Sequence, residues 1–443
     1  PTSFSTAHIL LLSVRCCSPS AELSCIIFSR ASTSYSSSGE ILGMVGVWRL
    51  RSTVVSALSL YFLLFFTAGG HSFLLSNNIH HRSRQEVMVP RSADDFDQDS
   101  SENCEPSPPP KFTVGVIADI QYAPIPDGTS YTGTPRFYRH ALEVAKHAFQ
   151  HFEEEKVDLV INLGDTIDGK CQDIELHGGD PVPDGEDPGH YSLNHVMEAL
   201  SAYKGRVLHT YGNHCLYNLH RKDLQERLGI QFTEEPCGDL VGYYDFVQED
   251  VRFVVLDAYD VAIMQRCELS SKKRKQAAEI LRENNPNFDA NMNSPEGLQG
   301  TQRRFVGFNG GVGPLQLEWL RKTLMRARQE RQKVVILSHN PILPESSSPV
   351  CLIWNYDEVL TILREFSDVV VASLCGHAHK GGYCRDHSGI HFRVFEAALE
   401  NRPERTYAMV DIHDDRLVVR GFGNCESAEY DFSHCKEMTP SRI

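Results

Sequence analysis

Five apolar runs in this chain each stop at a side chain that can hold a metal ion. The run 112–118 ends at Asp119, 157–163 at Gly164-Asp165, 206–211 at Gly212-Asn213-His214, and 333–337 at Ser338-His339. The run 369–374 leads into Gly376-His377-Ala378-His379. Short uninterrupted apolar runs read as strands buried on both faces, the mark of a sheet covered by helices. Open α/β sheets carry their ligand sites just beyond the carboxyl ends of such strands. Further strands are expected at 244–247, 251–256, 391–397, 406–412 and 416–420. Helices are expected at about 135–155, 192–203 and 314–330, where apolar residues recur at helical spacing. This is an α/β chain. The strand count favours two packed sheets with helices outside, a four-layer αββα sandwich; a single doubly wound sheet is the alternative.

The flanks read differently. Residues 1–70 form an upstream segment that holds Met44, Arg49 and Arg51, an apolar run over 54–68 and then Ala68-Gly69-Gly70. That order resembles a signal peptide or short anchor starting at Met44. On that reading the protein enters the secretory pathway and meets a membrane only if the apolar segment is retained; otherwise it is cytoplasmic. Residues 71–110 read as a disordered linker, polar and then proline-rich. The folded domain is expected over 111–423, with a C-terminal tail over 424–443.

Net charge is −15, which argues against nucleic acid as a partner. An anionic substrate would need local cations, from metal ions or arginines. The 13 cysteines include no CxxC pair, so zinc-ribbon and thioredoxin-type chemistry are not indicated, and most should be free thiols.

Each cluster has a structural explanation when taken alone. Asp after a strand caps helices, Gly-Asp makes turns, and a single histidine often only hydrogen-bonds. Together, in this order and all at strand ends, they point to a metal centre.

The set Asp119-Ile120-Gln121, Gly164-Asp165-Thr166-Ile167-Asp168, Gly212-Asn213-His214, His339 and Gly376-His377-Ala378-His379 resembles the calcineurin-like metallophosphoesterase superfamily. The usual pattern there is Asp-x-His, Gly-Asp-x-x-Asp, Gly-Asn-His-Glu/Asp, His, Gly-His-x-His. The resemblance implies the αββα sandwich and two divalent metal ions. It places Asp119, Gln121, Asp165 and His379 on one ion and Asp165, Asn213, His339 and His377 on the other, with Asp165 bridging. It gives His214 the role of acid or electrostatic stabiliser at the phosphate, and Asp168 that of orienting its ring. Two positions depart from the pattern. Gln121 stands in place of histidine, and its harder amide oxygen favours manganese, with magnesium or zinc as alternatives. Cys215 stands in place of Glu or Asp, where it should tune activity without abolishing it.

Further stretches are similar to the manganese-dependent ADP-ribose/CDP-alcohol diphosphatases. They are Asp119-Ile-Gln-Tyr122, Arg136-Phe-Tyr-Arg-His140, Gly164-Asp-Thr-Ile-Asp-Gly169, Leu256-Asp-Ala-Tyr-Asp260, Phe308-Asn-Gly-Gly311, Gln316-Leu-x-Trp319-Leu, Cys351-Leu-Ile-Trp-Asn-Tyr356 and Gly376-His-Ala-His-Lys-Gly-Gly382. The resemblance implies hydrolysis of a small nucleoside diphosphate linked to a sugar or alcohol; a monomer is expected. Two divalent ions set against Asp119 and Asp165 leave about +2, which a diphosphate can balance. Arg136 and Arg139 are candidates for the second phosphate, and Tyr131 for stacking on a base. The alternatives are a phosphomonoesterase or cyclic-nucleotide phosphodiesterase with the same core, and a metal-binding scaffold without turnover.

Overall fold

The computed structural model describes residues 108–435, apart from 232, 237 and 265–270. Residues 1–107, with the apolar run near Met44 and nearly all of the expected linker, lie outside the described residues.

Three of the five apolar runs become parallel neighbours in one sheet: Phe112–Ile117, Leu159–Asn162 and Arg206–His209. Tyr407–Ile412 pairs antiparallel to the first of these, followed outward by Arg416–Phe422 and Ala428–Asp431. The other two runs, Lys333–Leu337 and Val370–Cys375, sit side by side in a second sheet. Val251–Val255 and His391–Glu396 flank them in parallel. Tyr244–Gln248 and Lys380–Arg385 close the two edges antiparallel. Each sheet has six strands.

The sheets face each other across one core. Val114, Val116 and Val410 of the first meet Phe253, Val335 and Leu374 of the second, all essentially buried. Phe112 and Phe253 pack edge-on with ring centroids 6.3 Å apart. This two-sheet arrangement is the αββα alternative and not the single doubly wound sheet. Helix Tyr138–Glu154 packs on Phe112–Ile117 of the first sheet with Pro188–Leu200 beside it, and Pro314–Gln329 packs on Lys333–Leu337 of the second with Tyr356–Glu365 beside it. The first buries Tyr138, Ala141, Ala145, Phe149 and Phe152 along one stripe, the spacing that made it legible. Gly115 in the facing strand lies directly against the Phe152 ring, where a Cβ would come within 2.9 Å. Among the described residues no helix is long and apolar enough to cross a membrane.

Several expectations shift. The expected helix start at 135 moves to Tyr138, because Pro135–Arg136 pairs with Gly128–Thr129 in a small hairpin. The tail expected from 424 does not leave the domain there: Ala428–Asp431 completes the first sheet. Two helices were not expected, Lys272–Asn284 and Phe288–Asn291; Ala277 and Leu281 of the first pack with Phe305 and Trp354.

Candidate metal centre

The parallel strands of both sheets deliver their carboxyl ends to one place. Asp119, Gln121, Asp165 and His339 are fully buried there, and Asn213 is nearly so. Asp119, Gln121 and Asp165, together with His377 beside them, adopt positive φ between 42° and 65°. That conformation is unfavourable for side chains with a Cβ and persists where the surroundings over-determine it, commonly at functional sites.

The carboxylates are held from behind. Asp165 Oδ1 accepts the His214 backbone N–H at 2.8 Å, and Asp119 Oδ2 accepts that of His377 at 2.9 Å. These contacts explain the glycines of two motifs. A Cβ at Gly212 would overlap Asp165, and one at Gly376 would stand 2.5 Å from Asp119 Oδ2. The second oxygens turn inward: Asp165 Oδ2 lies 3.3 Å from His339 Nε2, and Asp119 Oδ1 lies 3.4 Å from His379 Nε2.

The histidines face inward with one nitrogen each. His339 Nδ1 meets the Leu163 carbonyl at 2.7 Å, His377 Nε2 meets Asn309 Oδ1 at 2.9 Å, and His379 Nδ1 meets Glu400 at 2.6 Å. In a neutral ring the outer nitrogen then carries the proton and the inner one is a lone pair. His339 Nε2 and His377 Nδ1 point at each other across 3.2 Å. With Asp165 they place three ligand atoms within 4.8 Å of one another. Two lone pairs at that distance suit a cation shared between them.

The remaining amides complete the ring. Gln121 Nε2 lies 2.9 Å from His379 Nε2 and 3.0 Å from Asp165 Oδ2, and its Oε1 accepts from Arg136 Nη1 at 3.3 Å. Its only metal-binding atom is Oε1, so ligation requires the amide oxygen inward and separates it from Arg136. Asn213 Oδ1 accepts from the Tyr259 hydroxyl at 3.1 Å.

The charge distribution favours a cation. Burial alone would raise the Asp165 carboxyl, but the imidazoles of His339 and His214 hold it well below the usual carboxylate range. Burial works against charge on His379, yet Asp119 and Glu400 hold its pKa up at about 9. His339 is raised against burial in the same way by Asp165. Burial and then the adjacent His339 push His377 down to about 3.

Around this ring lies an open cavity of about 680 Å³, within the size range of small-molecule sites. Its floor includes Gln121, Asp165, Asn213, His377 and His379; its walls include Arg136, His214, Phe308 and Cys351. Two groups converge on His214 Nδ1. The Gly169 backbone N–H donates to it at 2.9 Å, and Asp168 Oδ2 stands 3.1 Å away without receiving a hydrogen bond. A nitrogen that accepts from Gly169 cannot also donate to Asp168. The neutral ring therefore carries its proton on Nε2, and Asp168 acts on it through charge.

Of the substrate-contact candidates only Arg136 lines the cavity. Arg139 is exposed, with Nη2 on the Pro124 carbonyl at 3.3 Å, and Tyr131 projects fully into solvent from the hairpin. Sequence reasoning missed Asn309, Glu400, Tyr259 and the Gly169 amide. Asn309 had a signal, since it lies in Phe308-Asn-Gly-Gly311; Glu400 had none.

The model of the calcineurin-like phosphoesterase family matches residues 112–381. A protein named manganese-dependent ADP-ribose/CDP-alcohol diphosphatase from Oryza sativa subsp. japonica is 40% identical, over 73% of this chain and 95% of that protein. One of the same name from Homo sapiens is 35% identical, over 70% of this chain and 90% of that protein. The crystal structure of a dimetal phosphatase from Danio rerio superposes with a TM-score of 0.67 at 34% identity, covering 73% of this chain and all of that one. Strand order, ligand geometry and these likenesses agree: the chain belongs to the calcineurin-like phosphoesterase family.

Proposed function

We propose that this protein is a manganese-dependent diphosphatase that hydrolyses the diphosphate bond of ADP-ribose and of CDP-alcohols such as CDP-choline. The products are AMP or CMP and a phosphorylated sugar or alcohol. The observation that carries the reading is the ring of inward-facing carboxylates, imidazoles and amides at the base of a cavity of about 680 Å³. Relatives aligned over 70–73% of this chain and at least 90% of their own length bear that activity in their names.

Asp119, Gln121, Asp165 and His379 would hold one ion, and Asp165, Asn213, His339 and His377 the other. When bound, two divalent cations supply Lewis acidity toward a phosphate and an activated water as nucleophile near neutral pH. The protein's own groups do the rest. Asp165 and Asp119 are fixed by backbone N–H groups, so their inward oxygens need no reorganisation. His214, with its proton on Nε2, donates a hydrogen bond toward a phosphoryl oxygen as charge develops there, with the Asp168 carboxylate 3.1 Å from its Nδ1. The leaving group is itself a phosphate, so strong protonation is not required. Arg136, 18% exposed at the side chain, offers its guanidinium to the second phosphate. A small diphosphate is the substrate and the working unit is a single chain, without nucleic acid.

A panel of ADP-ribose, CDP-choline, a cyclic nucleotide and p-nitrophenyl phosphate with Mn²⁺ tests this reading. It requires the two diphosphates to be turned over with the highest kcat/KM. A preference for either of the others refutes it.

A further inference from the structure

The outer nitrogens of the three inward-facing histidines do not have equivalent partners. His339 and His377 rest on neutral acceptors, the Leu163 carbonyl and Asn309 Oδ1, whereas His379 rests on a carboxylate, Glu400 Oε1 at 2.6 Å. His379 is also the histidine beside the neutral amide of Gln121.

Glu400 is held in place for this contact. It ends the 3₁₀ turn Ala398–Glu400, just beyond the strand His391–Glu396. The turn is fastened to the loop that carries Asp119: Ala398 N–H donates to the Ala118 carbonyl at 3.0 Å, and Leu399 N–H to that of Asp119 at 3.2 Å. The Leu399 carbonyl in turn accepts the Phe137 N–H at 3.0 Å, next to Arg136. The Glu400 side chain is 11% exposed, and Arg136 Nε lies 4.0 Å from the same oxygen that meets His379.

We propose that Glu400 is a positioning residue that sets the metal affinity of the Asp119, Gln121, Asp165 and His379 site and leaves the other site largely untouched. The assignment rests on the ligand set proposed above. By accepting the Nδ1–H of His379, Glu400 fixes the tautomer that turns the Nε2 lone pair inward, and its charge makes the imidazole a stronger donor. That charge offsets the weaker donor in the same site, where an amide stands in place of the usual imidazole. The same carboxylate stands 4.0 Å from Arg136 Nε at the cavity wall, so its charge lies near both the metal site and the arginine that lines the cavity.

The test uses the Mn²⁺-loaded full chain, dialysed against a graded series of chelator-buffered Mn²⁺. Metal per chain is read by elemental analysis, and the Mn²⁺ spin signal shows whether the retained ions are coupled. Wild type is compared with Glu400→Ala and Glu400→Gln. Glu400→Ala is expected to weaken one of the two equivalents by about 10–100-fold. The other equivalent should stay within about threefold, and an uncoupled Mn²⁺ signal should appear at intermediate loading. Glu400→Gln keeps an acceptor oxygen without the charge and should fall between Glu400→Ala and wild type. Release curves identical to wild type would overturn the proposal. Equal weakening of both equivalents, with a lower melting temperature, would overturn it in favour of a structural role. A wild-type chain that holds fewer than two ions would refute the two-ion reading itself, a result distinct from either.

Discussion

The Cys215 sulfur accepts the Thr166 backbone N–H at 3.1 Å and is 1% exposed. The residue that departs from the common Gly-Asn-His-Glu/Asp pattern thus points away from the cavity and supports the loop carrying Asp165. Burial pushes its thiol pKa up to about 12, so it is a neutral packing group and no nucleophile. Cys215→Ala should lower unfolding free energy by about 1–2 kcal/mol, through one lost hydrogen bond and a small cavity. Its kcat should stay within about tenfold of wild type. Urea unfolding and steady-state kinetics check both; a loss of several orders of magnitude in kcat at unchanged stability would contradict the support role.

Arg136 and Arg139 are three residues apart in sequence but differ in place. Arg136 lines the cavity and Arg139 is bonded to Pro124 on the surface. Arg136→Ala should lower kcat/KM for ADP-ribose by about 10–100-fold, the range for a charged hydrogen bond, mostly through KM. Arg139→Ala should change it by less than about twofold. Equal effects from the two variants would remove Arg136 from the substrate site.

The centre of each apolar run and the residue that ends it were legible because parallel strands buried on both faces leave unbroken apolar sequence. That is how Asp119, Asp165, Asn213, His339 and His377 could be read. Edge strands lack that pattern. Lys380–Arg385 contains two glycines and exposed charges, and Ala428–Asp431 is short and acidic. The small hairpin was hidden because Pro135 also suits a helix start. Glu400 was invisible for another reason: its meaning comes from a contact with His379 that only the folded turn creates.

Gln121 is predicted to select the metal. Mn²⁺ should activate the metal-free protein better than Zn²⁺, and Gln121→His should move the ranking toward zinc, because imidazole is the softer ligand. Activity and competitive metal binding, measured together, check this. An unchanged ranking in both would show that Gln121 is not the selector.

Acid stability should depend on His209, buried at the end of the strand Arg206–His209 with Nδ1 3.2 Å from the Asn162 amide. Burial lowers its pKa to about 4. The unfolded chain takes up this proton near pH 6.5, the folded chain only near pH 4, so folding stability falls as pH drops through that window and levels off below it. His209→Gln should remove about 2 kcal/mol of the loss between about pH 6.5 and 4.5. Denaturant curves at the two pH values check this; parallel losses in both proteins would contradict it.

The bridging role proposed for Asp165 predicts that Asp165→Asn retains fewer than two Mn²⁺ per chain. Its kcat should fall by more than about 10³-fold, since a neutral amide cannot balance two cations. Elemental analysis of the purified variant, alongside kinetics, separates metal loss from misfolding when melting temperature is unchanged.

The most direct test of the central claim is the product analysis of ADP-ribose hydrolysis with Mn²⁺. The account requires AMP and ribose 5-phosphate in equal amounts, with inorganic phosphate appearing only after a separate phosphatase is added. Inorganic phosphate released directly, or an intact diphosphate bond after prolonged incubation with Mn²⁺, would contradict it.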